Sequence, residues 1–300
     1  MKRWATVGTY CGCGAPLAGA AAALEAFEKA AAAQPAKGRP QPRLTNVGKY
    51  VQSKSPALAR KLAKVLQAHA KKVAPKLVQG YVQHLQKAQL MRLLHKDARG
   101  GKDTIDEIVA NLGSADLGKT LTGELAGPML AAFRRAAALG ATQVGASVST
   151  DQVDPKAVAY AEDRGGELIK DLADTTDDDM RDLLARAVDE GMSADDLSDA
   201  VQAAGAFGEA RANTIARTEL AFAHVQGNKE GWRASGQVAG KRWILGDLHD
   251  VPDECDDAAE AGVVGIDEDF ADGISDPPAH PNCICDILPV LSDGDDDEDS

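Results

Sequence analysis

The sequence predicts a mainly α protein with a small C-terminal α+β portion. A helical N-terminal region leads into a helical bundle, which ends in a short antiparallel sheet with a Cys/His knuckle. Three observations carry this expectation. Hydrophobic residues make up 44% of the 300, yet aromatics only 4%, and alanine supplies much of the rest; that mix suits helices that approach through small side chains. Apolar residues recur at helical spacing through most of the chain. Only beyond residue 240 does the pattern change, to short strand-like runs and a stretch dense in proline and cysteine.

Residues 1–54 read as an irregular, Ala-rich N-terminal segment with a basic linker. Residues 16–34 are helical by propensity, and 35–48 carry Pro35, Gly38, Pro40 and Pro42 among Lys37, Arg39 and Arg43, the composition of an extended linker. Residues 55–150 form a basic helical region. Ser55-Pro56 predicts a helix start, with serine as cap and proline at the first helical position. Leu58, Leu62, Val65, Leu66, His69, Val73, Leu77, Tyr81 and Leu85 then fall on one face, and Pro75 is expected to kink the helix. Gly100-Gly101 ends this unit. A second helix is expected over about 117–139, and 140–150 reads as a linker.

Residues 151–290 form the next unit. Pro155 opens a helix to about Ala173, and Thr176 caps another, with Asp179 three residues on. Met180, Leu183, Leu184, Ala187 and Val188 give it a buried face, and Gly191 stops it. Ser193 caps a third helix, again with an acid at Asp196. This passage has the outline of a DNA-reading helix-turn-helix, but Asp195, Asp196 and Asp199 on the second helix would be repelled by phosphate. A long helix follows over about 208–234. Strands are expected at 241–245, 262–266 and 285–288, and the acidic tail 291–300 is expected to be disordered.

The net charge of −13 hides an asymmetry. Residues 1–150 hold 22 Lys and Arg against 8 Asp and Glu, whereas 151–300 hold 11 against 38. A basic half joined to an acidic half suggests an assembly protein or a neighbour of nucleic acid; two independently solvated surfaces would show the same counts. Five cysteines in a chain this long do not make a secreted disulfide scaffold. No uncharged run is long enough to span a bilayer, so no membrane is expected as a partner. Met1-Lys2-Arg3 lacks a following apolar region, so export by the ordinary secretory route is not expected.

The residues with most chemistry are Cys255, His280, Cys283 and Cys285, a set that can supply the Cys3His ligands of a structural zinc. Cys283-Ile284-Cys285 is a C-x-C, less comfortable around one ion than C-x-x-C, so a metal-free knuckle, with or without a disulfide, stands beside the zinc reading. Arg211, Arg217 and Glu219 share one helix. Arg217 and Glu219, two apart, cannot face each other, and all three are expected to be structural ion-pair residues tying that helix to its neighbours. A contiguous Arg-Thr-Glu is weak support for an ADP-ribosyltransferase, in which such residues lie on separate strands. Cys11 and Cys13 are assigned no role. No G-x-S-x-G, P-loop, H-E-x-x-H or G-x-G-x-x-G occurs, so no catalytic residue and no enzyme activity is expected.

The ordered pieces resemble a known family. Arg164-Gly165-Gly166-Glu167-Leu168-Ile169, the helix over 211–219, the strand around Trp243, then Cys255 and Pro277-Pro278-Ala279-His280-Pro281-Asn282-Cys283-Ile284-Cys285 are similar to the phage Mu protein F-like head-morphogenesis domain, over roughly 155–290. Two departures touch the knuckle. Pro252 stands where the family often has a first cysteine, and Ile284 where arginine is usual, so a four-ligand site would have to recruit His280, or Asp250 or His249. The resemblance implies a minor capsid protein made in the host bacterial cytoplasm and carried inside the virion near the portal. Its implied partners are the portal protein, the major capsid or scaffolding protein, and packaged double-stranded DNA, met through Lys61, Lys64, Lys71 and Lys72. Its implied role is to assist DNA packaging or ejection. The competing readings are an enzyme, either an ADP-ribosyltransferase-like effector or a capsid maturation protease, and a zinc-dependent nucleic-acid-binding module.

Overall fold

The computed structural model describes residues 46–93, 101–246 and 252–291, all within one compact unit spanning residues 44–300. The Ala-rich segment, Cys11, Cys13, His249, Asp250 and the acidic tail beyond Leu291 lie outside the described residues. The element order is α1 (Asn46–Leu93), α2 (Gly101–Ala110), α3 (Ser114–Gln143), α4 (Thr150–Glu190), α5 (Ala194–Ala203), a 3-10 turn (Gly205–Phe207), α6 (Glu209–Ser235), β1 (Val238–Ile244), α7 (Glu254–Glu260), β2 (Val263–Gly265), a 3-10 turn (Ala271–Gly273) and β3 (Asp286–Leu291). The chain is thus mainly α with a small C-terminal sheet, as the sequence predicts. The break expected at 150/151 falls between α3 and α4, which pack against each other inside the single unit.

Three helix starts differ from expectation, at Ser55, Pro155 and Thr176, and Pro155 lies inside a helix that begins at Thr150. Ser55-Pro56 does not start a helix: α1 already runs from Asn46 through Pro56 and Pro75 to Leu93, and Ser55 is buried. The true start is capped from far away. The Asp286 carboxylate accepts from the Val47 amide at 3.3 Å, satisfying a first-turn donor that has no intrahelical partner. Thr176 does not cap a helix either; α4 is continuous over 41 residues. The Thr176 hydroxyl donates to the Leu172 carbonyl one turn back at 2.7 Å, which removes it as a helix breaker. The cap of α4 lies at Ser149, whose amide donates to the Gln152 side chain at 2.9 Å. The α4–α5 corner follows the sequence: Gly191 is left-handed at φ 66°, and the Ser193 hydroxyl accepts from the Asp196 amide at 3.1 Å.

The core centres on α6, which packs against both α1 and α3. Its approach to α3 is backbone to backbone. A Cβ on Gly231 would strike the Ala137 carbonyl, one on Gly227 the Phe133 carbonyl, and one on Gly140 would sit 2.5 Å from the Asn228 carbonyl oxygen. Ala136, Ala137 and Ala141 complete the seam, so the small-residue composition has its use here. The sheet order is β2-β1-β3, antiparallel throughout. Trp243 pairs in register with Ile287, and both are buried. The other face carries Arg242 opposite Val263 and Leu288, and is exposed.

Candidate metal centre

The first half of α6, the start of α7 and the turn before β3 meet at one place. Asp253 caps α7, its carboxylate accepting from the Cys255 amide at 2.8 Å, and so sets Cys255 in the first turn. The stretch 277–285 cannot be helical with three prolines. It folds as a turn with a cis Pro277–Pro278 bond, closed by the Cys283 amide donating to the His280 carbonyl at 3.2 Å. Asn282 takes φ 64°, which asparagine tolerates better than most residues. It pins the turn to α6, its amide donating to the Thr218 hydroxyl at 3.1 Å and its side chain to Thr214 at 3.0 Å.

This brings Cys255, His280 and Cys283 together as one group, with Cys285 beside the other two thiols but outside that group. Cys255, Cys283 and Cys285 are free thiols, all buried. The Cys255 and Cys283 sulfurs are 3.6 Å apart, and ligand atoms of Cys255, His280 and Cys283 all lie within 4.8 Å of one another. The Cys285 sulfur interacts with both other thiols and accepts from the Gly246 amide at 3.4 Å. The thiols act on one another. Hydrogen bonds with Cys283 and then Cys285 push the Cys255 thiol far up. Hydrogen bonds from Cys255 and Cys283, joined by the Gly246 amide and the Trp243 indole, hold Cys285 well below the usual thiol range. Three thiolates together in this buried space need a cation.

His280 carries the same message. Its Nδ1 lies 3.0 Å from the Pro281 carbonyl oxygen, an acceptor only, so Nδ1 bears the proton. In the neutral ring Nε2 is then a bare lone pair. It is buried, closes no hydrogen bond, and sits 3.2 Å from an Asp253 carboxylate oxygen, a repulsive neighbour unless a positive charge stands there. Three thiols and an imidazole of fixed tautomer fit a soft divalent ion of the zinc type.

Beside this cluster lies a buried ionic knot that the sequence reading did not identify. Asp276 accepts from Lys229 at 2.6 Å and from Lys241 at 2.9 Å, with all three buried. Lys241 also donates to the Ser275 carbonyl at 2.6 Å and stands 5.0 Å over the Phe270 ring. Burial pulls the Lys229 pKa down, and Asp276 opposes it. The knot ties α6 and β1 to the residue that opens the Pro-rich turn. Nothing local marks these lysines as buried; only the isolated Asp276 before Pro277 hints at a fixed carboxylate.

The predicted ion-pair residues are placed differently from one another. Glu219 is buried and takes a two-pronged contact from Arg164, at 2.9 and 2.8 Å, with the Arg164 guanidinium 4.5 Å over the Phe222 ring. Arg211 is not an ion-pair residue: it donates to the carbonyls of Ala206 and Leu172 at 3.0 and 3.3 Å and to Thr176 at 3.2 Å, because the 3-10 turn and α4 present oxygens to it there. Arg217 has a buried Nε that closes no hydrogen bond among the described residues. Lys61, Lys64, Lys71 and Lys72 are all exposed on α1, with Lys61 paired to Glu124. No described helix is long and apolar enough to cross a membrane.

Residues 178–288 match the family model described as Phage Mu protein F like protein. The match runs from the second half of α4 through the Cys/His cluster into β3, so this stretch is similar to the Mu F-like domain. No curated protein and no solved structure matches the chain.

Proposed function

From the phage Mu protein F-like domain at residues 178–288, which marks a phage head-morphogenesis protein in general, we propose that the chain is a minor capsid protein of a tailed bacteriophage. It sits inside the head at the portal, in few copies, and assists assembly and DNA packaging or ejection. The family match is the observation that carries this reading. The part played is structural rather than enzymatic, a view supported by the burial of Glu219 against Arg164. The portal protein and the major capsid or scaffolding protein are its protein partners.

The basic side of α1 faces packaged DNA. Lys61, Lys64, Lys71 and Lys72 are exposed on a rigid helix of 48 residues, a geometry that suits sequence-independent contact with phosphates. Mass spectrometry of gradient-purified particles tests the location. The chain should be present in a number comparable with the portal subunits, and its absence from particles would overturn the reading. Replacing the four lysines by alanine should weaken duplex-DNA binding and reduce the salt slope by about 3–4, at roughly 0.9 per phosphate contact. An unchanged slope removes DNA from the partners.

A further inference from the structure

We propose that Cys255, Cys283, Cys285 and Nε2 of His280 form a closed, structural zinc site that clamps the Pro-rich turn to α7 and to the start of β3. Four observations converge on it. For a tetrahedral ion with zinc–sulfur bonds of about 2.3 Å, neighbouring sulfurs stand about 3.8 Å apart. Cys255 and Cys283 stand 3.6 Å apart as free thiols, already close to that edge length. The His280 proton is held at Nδ1 by the Pro281 carbonyl, the outer contact that orients a ligating imidazole, so Nε2 is left with a free lone pair in a residue grouped with Cys255 and Cys283. The Asp253 carboxylate beside Nε2 places negative charge where a cation would stand. The Gly246 amide donates to the Cys285 sulfur, the kind of outer contact a metal-bound thiolate uses.

The donor set also selects the ion. Thiolates with one imidazole favour zinc over the hard cations that prefer carboxylate and water. With four protein ligands no position is left open, so the ion holds structure and does no chemistry on a substrate. Binding releases the remaining thiol protons to solvent. The fold supplies the reason for a clamp. A three-stranded sheet with a three-residue outer strand buries little by itself, and the metal joins segments that lie about 30 residues apart in the sequence.

The test uses the full chain purified under reducing conditions. Elemental analysis should find about one zinc per chain, and the variant lacking Cys11 and Cys13 (both to serine) should keep it. Chelation should lower the melting temperature, and zinc alone should restore it. Cobalt in place of zinc should give the strong visible absorption of a tetrahedral site, and Cys285→Ser should remove about one third of the thiolate-to-cobalt charge-transfer band, two thiolates remaining of three. A chain free of metal, iron in place of zinc, an unchanged melting temperature after chelation, or a cobalt spectrum indifferent to Cys285→Ser would each overturn the Cys3His site. Particle location does not enter these readouts, so the site and the proposed virion role stand or fall separately.

Discussion

The α3–α6 seam and the C-terminal Cys/His portion fix their geometry by opposite means. In the seam, Gly140, Gly227 and Gly231 let two helix backbones touch, and close packing sets the fit, with the Trp232 indole donating to Gln143 at its end. In the C-terminal portion the strands are short, and position is set by directed polar groups: the Lys229–Asp276–Lys241 knot, the Asn282 contacts to Thr214 and Thr218 and the cysteine cluster. The contrast shows how one small chain spends its limited apolar surface. Between the long helices close packing stands beside directed pairs such as Arg164–Glu219, whereas a three-stranded sheet has too little apolar surface to be placed by packing alone.

The sharpest way to break the comparison is to remove the centre of the polar knot. Asp276→Ala leaves two buried lysines without their shared carboxylate and should cost roughly 3–5 kcal/mol, the range for breaking a buried pair, read by urea unfolding. A cost below that of the seam variant below would show that the knot is dispensable.

Asp286 is the next largest. Burial pushes its carboxyl up to about 6, against amides of Ile287 and Val47 that pull it down. The folded state therefore holds a proton that the unfolded chain releases between about pH 4 and 6. The stability linked to that proton is present below about pH 4 and lost as pH rises through 6. At about 1.36 kcal/mol per pH unit the loss is on the order of 2–3 kcal/mol. Asp286→Asn keeps an acceptor for the α1 start and removes the titration. It should melt higher than the parent at pH 8, with the gap closing towards pH 4; parallel pH curves would refute the assignment.

Gly231→Ala tests the seam, since the added methyl meets the Ala137 carbonyl. Overpacking of this kind costs typically about 1–3 kcal/mol, and a neutral result would mean that the helices can slide apart. The smallest effect belongs to the exposed Lys61–Glu124 pair: Lys61→Ala should change stability by no more than about 1 kcal/mol, measured in the same unfolding experiment.

Much of the framework was legible in the chain. The Gly191–Ser193 corner was readable because a left-handed stop and a capping serine act within a few residues. The strand around Trp243 and the grouping of Cys255, His280, Cys283 and Cys285 were readable from composition and order. The misreadings at Ser55 and Thr176 share a cause. Each is a residue type that caps helices when its hydroxyl is free for the backbone, and each lies inside a helix whose start is held elsewhere, by Asp286 in one case and Gln152 in the other. The partners of Glu219 and Arg211 were hidden because Arg164 and Leu172 lie 55 and 39 residues away.

By itself the sequence determined which segments coil, where the α4–α5 turn falls, and that cysteines and a histidine gather just before the last strand. Those are consequences of propensity, periodicity and caps, all of which act over a few residues. Tertiary structure alone decided where α1 begins, which lysines are buried, which nitrogen of His280 is left bare, and that the three sulfurs converge. Those outcomes depend on burial and on charges brought together across tens to hundreds of residues, and no local rule carries that information.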